Sequence, residues 1–123
     1  MEKYLVIFAG AGIGGLARFV VATAIMNRFT GRFPLGTFVV NISGCFLIGL
    51  IMTILTERLA HQNWRLFLVV GFLGGYTTFS SFAWEMYISS KTDLGLLALT
   101  NAIGSVLAGF VAVWLGALIG AKR

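Results

Sequence analysis

Four long apolar runs, separated by short polar intervals, organise this chain. They cover about 4–26, 36–55, 66–89 and 94–121, and the intervals are 27–35, 56–65 and 90–93. A bilayer's hydrocarbon core takes roughly 20 apolar residues per helical crossing, so each run predicts one transmembrane helix. The single proline, Pro34, precedes the second run, where the first turn of a helix tolerates it. The expected fold is all-α: one membrane domain of four helices spanning 1–123, with no soluble domain.

The third run conflicts with its own helix. Gly71, Gly74 and Gly75 lead directly into Tyr76-Thr77-Thr78-Phe79-Ser80-Ser81-Phe82. Each interior glycine costs a helix roughly 1 kcal/mol against alanine. The clustered hydroxyls also compete for backbone hydrogen bonds. A broken helix at membrane depth survives only where protein or a water-lined cavity satisfies its freed groups. The pattern therefore predicts a break at Gly74-Gly75, and with it a site. Elsewhere Gly10 with Gly14, Gly71 with Gly75 and Gly116 with Gly120 have the four-residue spacing that lets membrane helices approach closely. Four short helices enclose little interior, so oligomerisation is expected.

Composition agrees with lipid as the solvent: 59% of residues are hydrophobic and 11% charged, against about 25% charged in soluble domains. The net charge of +5 comes from basic residues scattered singly, with no basic helix face. That scatter excludes nucleic-acid binding and reads as charge at the ends of spans. Both termini and the second loop share one face, with Lys3, Arg58, Arg65, Lys122 and Arg123; the other carries Arg28, Arg32 and Lys91. Five against three is a weak bias. It suits either cytoplasmic termini or insertion in both orientations, which would permit an antiparallel pair. Lys3 and Ala22-Thr23-Ala24 superficially suit a cleaved signal peptide, but Arg18 interrupts the run and three further spans follow.

Chemistry that the chain lacks narrows the function. The lone histidine, His61, sits in the charged second loop, and the lone cysteine, Cys45, lies among apolar neighbours. No metal-ligating spacing and no catalytic triad can be assembled from them. The sequence does not read as an enzyme.

Several polar or aromatic residues stand where lipid should disfavour them. Arg18 lies deep in the first run; it either snorkels to the interface or serves a site. Asn41 either bonds between helices or turns its amide donors into a pathway. Phe79 and Phe82, three apart, share a helix face. They are either apolar bulk or ring edges, whose partial positive charge suits a small anion. Asn101 and Ser105 share a face of the fourth run as a polar track or a close-packing seam. Glu85 has no role fixed by sequence.

The segments Gly36-Thr37-Phe38-Val39-Val40-Asn41 and Gly71 through Phe82, with Arg18 and Glu85 in their places, resemble the Fluc (CrcB) family of fluoride-specific ion channels across essentially the whole chain. The resemblance implies a dual-topology, antiparallel homodimer in a bacterial cytoplasmic membrane. It would have two fluoride pathways and a structural sodium ion at the dimer interface. Phe79 and Phe82 would contact fluoride through their ring edges, and Asn41 would be the pore asparagine. Arg18 would stand at a vestibule, and Thr78, Ser80 and Ser81 would form the hydroxyl-rich stretch beside the pore. Backbone carbonyls of Gly74 and Thr77 would hold the sodium. The chain departs from the family in the fourth span, where relatives often continue the hydroxyl or tyrosine track. Here Gly109 and Val113 follow Asn101 and Ser105. Tyr76 also stands where relatives often have leucine.

A small anion holds its water strongly, so a pore must replace that shell with donors at close range. Moderate, uncharged donors let the ion leave again. Two other classes share the four-span outline. A small multidrug-type proton-coupled exporter needs a carboxylate within an early span, where this chain has none. A membrane adaptor would use the glycine faces but leave Asn41 without purpose.

Overall fold

The computed structural model describes residues 1–57 and 61–122. Arg58 and Arg123, counted in the charge map above, lie outside the described residues. Helix α1 spans Glu2–Met26 and α2 spans Leu35–Glu57. The third crossing, Gln62–Ser90, is composite. It begins as α3 (Gln62–Arg65), continues as a π-helical stretch (Leu66–Leu73), and passes through α4 (Gly74–Tyr76) to α5 (Phe79–Ser90). Helix α6 spans Gly95–Ala121. Four helical crossings are long and apolar enough for a bilayer, and the described residues contain no strand.

The glycine spacings explain how these helices meet. Lipid tails are as apolar as leucine, so membrane helices associate through close packing rather than hydrophobic burial. Gly10 and Gly14 of α1 face Gly71 and Gly75 of the third crossing. A methyl group on Gly71 would lie 2.8 Å from the Ile7 carbonyl oxygen and 3.0 Å from the Gly10 Cα. One on Gly14 would overlap the Phe72 carbonyl, and one on Gly75 the Ala11 carbonyl. A second seam joins α2 to α6, the most extensive helix pair. There Gly49 meets the Val113 carbonyl and Gly116 meets the Phe46 carbonyl.

Two polar contacts fix which ends lie together. Glu2 accepts a hydrogen bond from the Asn63 amide at 2.6 Å, tying the start of α1 to α3 at the start of the third crossing. Arg32 and Asp93 approach to 4.0 Å at the opposite end, both well exposed, a pairing that contributes little stability. His61 is exposed and accepts from the Asn63 N–H at 3.2 Å, capping α3.

Most large apolar side chains point outward, Phe8, Phe19, Phe110 and Trp114 among them, as a lipid-facing surface requires. The buried centre is small. Val40 is fully buried, and Leu73 and Tyr76 are nearly so. These residues gather where α2 crosses the interrupted third span.

Candidate functional site

The third crossing opens three residues later than the glycines suggest. Gly74 keeps helical angles (φ −62°, ψ −36°) and Gly75 remains within α4. The break lies at Thr77 (φ −81°, ψ 156°) and Thr78 (φ −148°, ψ 114°), both extended. The expected break at Gly74-Gly75 is thus corrected. The glycine at 75 serves the approach of α1, while the chain opens where side chains can replace the lost helical bonds.

Asn41 supplies that replacement. Its Oδ1 accepts the Thr78 N–H at 2.8 Å, and its Nδ2 donates to the Thr78 carbonyl at 3.0 Å. One amide side chain thereby satisfies both backbone groups of an extended residue. In an unbroken helix the Thr78 N–H would bond the Gly74 carbonyl; here that carbonyl loses its helical donor. Thr77 closes the upstream half, its N–H and its hydroxyl both bonding the Leu73 carbonyl at 2.9 Å. Thr78 starts the downstream half as an N-cap. Its Oγ1 accepts the Ser81 N–H at 3.2 Å, donates to Ser81 Oγ at 3.0 Å and lies 3.3 Å from Ser80 Oγ.

Cavities flank the break. The first, about 350 Å³, is lined by Asn41, Cys45, Gly74, Thr77, Thr78 and Phe79 among others. The second, about 240 Å³, is lined by Arg18, Thr23, Thr37, Thr78 and Ser81 with apolar neighbours. A third, about 330 Å³, continues past Thr23 and Thr37 to Asn27 and Glu85. Thr78 borders the first two, and Ala22, Thr23 and Thr37 border the last two. Thr37 donates to Glu85 Oε1 at 2.5 Å, and Glu85 Oε2 is buried without a hydrogen-bond partner among the described residues.

The residues singled out from sequence are therefore only partly brought together. Asn41, Thr77, Thr78, Gly74 and Phe79 share one cavity, and Arg18, Thr78 and Ser81 another. Phe79 is 80% exposed in the single chain, with its ring 5.9 Å from that of half-buried Phe82. Ser80 is exposed beside Thr78. Asn101 is 4% exposed and accepts from Ser105 Oγ at 3.1 Å; neither residue lines the three cavities described. Sequence reasoning passed over Thr23 and Thr37 as lining residues. The signal for Thr37 was its position four before Asn41, which places both on one face of α2.

A helical chain with four crossings and polar side chains gathered around a break in the third is a multi-pass integral membrane protein. Residues 5–117 match the family described as CrcB-like protein, Camphor Resistance (CrcB), and the chain belongs to that family. A relative from Solibacter usitatus, named fluoride-specific ion channel FluC, is 59% identical over 95% of this chain and 97% of its own. Relatives of the same name from Acidobacterium capsulatum and Coxiella burnetii (strain CbuK_Q154) are 44% and 42% identical. Those two alignments cover 96% and 94% of this chain and 95% of each relative. The proton-coupled drug exporter finds no support in these matches.

Proposed function

We propose that this chain forms a fluoride-specific channel that passes the ion down its gradient and lowers cytoplasmic fluoride, in a bacterial inner membrane. The observation that carries this reading is the set of cavities joined at Thr78 around the helix break, in a chain whose relatives bear that channel's name. Asn41 spends one of its two amide hydrogens on the Thr78 carbonyl and keeps the other for an anion in the first cavity. The Ser81 hydroxyl accepts from Thr78 Oγ1 and so keeps its own hydrogen for the same ion further along. Arg18 adds positive potential where an anion enters the second cavity. None of these uncharged donors binds so strongly that the ion would be trapped. Ring edges of Phe79 and Phe82 complete the narrow part.

The assembly proposed is an antiparallel homodimer. In the single chain Phe79 and Gly74 are exposed beside the first cavity. A second copy inserted in the opposite orientation would cover them and repeat the pathway, giving two per dimer. The weak charge bias between the two faces is compatible with both orientations.

Sodium is proposed as a structural ion at the dimer interface, held by backbone carbonyls of Gly74 and Thr77. The residues present fit a hard cation that takes neutral oxygen ligands. The Gly74 carbonyl has lost its helical donor to Asn41, and Thr77 has left the helix with ψ 156°. Once bound, sodium would join the subunits and supply fixed positive potential.

Liposomes containing the purified protein are expected to release fluoride, and not chloride, down its gradient. No fluoride release from well-incorporated protein would overturn the channel reading. Replacing sodium on both sides with N-methylglucamine is expected to slow that release and weaken the dimer on crosslinking. Unchanged flux and unchanged crosslinking would remove the ion from the proposal.

A further inference from the structure

We propose that Tyr76 is a positioning residue, locking the broken segment to α2 through a hydroxyl chain to Ser43; its consequence for transport rests on the channel reading above. Tyr76 is 7% exposed, at the last position before the extended residues. Its hydroxyl lies 2.9 Å from Ser43 Oγ, which donates to the Val40 carbonyl at 3.0 Å. A serine hydroxyl has one hydrogen. With that hydrogen on Val40, the phenol must be the donor to Ser43, and the chain runs Tyr76 to Ser43 to Val40. Val40 is fully buried, and its carbonyl belongs to the peptide unit that begins Asn41.

Three successive residues of the interrupted span are thus registered on one short stretch of α2. Tyr76 bonds Ser43, the Thr77 methyl occupies the space left open at Gly44, and Thr78 pairs with Asn41. The aromatic ring is held from its other side by stacking on Phe72, with centroids 5.7 Å apart and planes 8° from parallel. Without the tyrosine, the hydrogen bonds from this segment to α2 reduce to the one amide pair of Asn41 and Thr78. The tyrosine gives it a second fixed point, and so sets where the remaining Asn41 N–H aims within the first cavity.

The test uses Tyr76→Phe, Ser43→Ala and the double variant in the full chain. Phenylalanine retains the ring and its stacking, so only the hydroxyl link is removed. Hydrogen exchange at the Thr78 amide, followed by mass spectrometry or NMR, is expected to quicken about fivefold in each single variant, the usual worth of one buried hydrogen bond. The double variant should quicken no further, because both changes cut the same chain. In liposomes the fluoride concentration giving half-maximal flux should rise by a similar factor in all three. A lower melting temperature with Thr78 exchange unchanged would overturn the proposal and leave Tyr76 with packing alone. Exchange is read whether or not the protein conducts, so a failure of the channel reading is distinguished by loss of wild-type flux.

Discussion

Asn41→Leu is expected to cut fluoride efflux sharply and to destabilise the protein at the same time. Leucine keeps the branched skeleton of asparagine, with bulkier methyl ends, but has neither donor nor acceptor. The Thr78 N–H would lose its bond to Asn41 Oδ1 and the Thr78 carbonyl its bond from Nδ2. Thr78 is 8% exposed, so little of that loss is recovered from water. Two orphaned groups at about 1.5 kcal/mol each give roughly 3 kcal/mol. The same change removes the spare amide hydrogen assigned to the ion, so flux should fall by roughly a hundredfold. Asn41→Asp separates the two effects: in its neutral form one carboxyl oxygen accepts the Thr78 N–H and the O–H donates to the Thr78 carbonyl, which leaves no hydrogen for an anion. Its folding should be nearer wild type while its flux stays low. Wild-type flux per incorporated chain and wild-type stability in both variants would show that Asn41 neither serves the ion nor holds the break.

Phe79→Ile and Phe82→Ile should each slow efflux by about tenfold and by roughly a hundredfold together, while the dimer persists on crosslinking. Isoleucine preserves apolar bulk and removes the electropositive ring edge, a contact worth about 1 kcal/mol or slightly more per ring. The two rings already lie 5.9 Å apart with planes inclined by 42°, so an ion passing one is close to the other. Phe79 is the sharper test because it is 80% exposed in the single chain. If a second subunit covers it, isoleucine there slows flux. If it faces only acyl chains, Phe79→Ile leaves flux unchanged, and the ring drops out of the pathway.

The membrane crossings were legible because the signal that defines them is crude: long apolar runs interrupted by charge. The presence of a break in the third was legible for the same reason, since glycines and hydroxyls both work against a helix. Its location was not. Glycine permits a helix to open, but it equally permits another helix to come close, and Gly75 serves the second purpose against Ala11. What places the opening at Thr77 and Thr78 is Asn41, distant in sequence and adjacent only after folding. The capacity of Asn41 for both roles was hidden for a related reason. A bond between helices and a donor for a pathway are alternatives in the sequence, yet an amide has enough hydrogens for both. The π-helical stretch at Leu66–Leu73 carries no pattern that separates it from an ordinary apolar helix. Phe79's exposure depends on what a single chain cannot contain.

That π-helical stretch acts as a spacer whose length is fixed from both sides. Wider turns use more residues to climb the same height, so removing one would let the coil relax to ordinary α geometry. Everything beyond would then change height and angular phase together, because the two coils differ in both rise and residues per turn. Gly71 and Gly75 are held against α1, and Thr78 is clasped by α2, and no single rotation satisfies both. Insertions and deletions should therefore be tolerated in the loops long before they are tolerated in these eight apolar residues, bland as their side chains are.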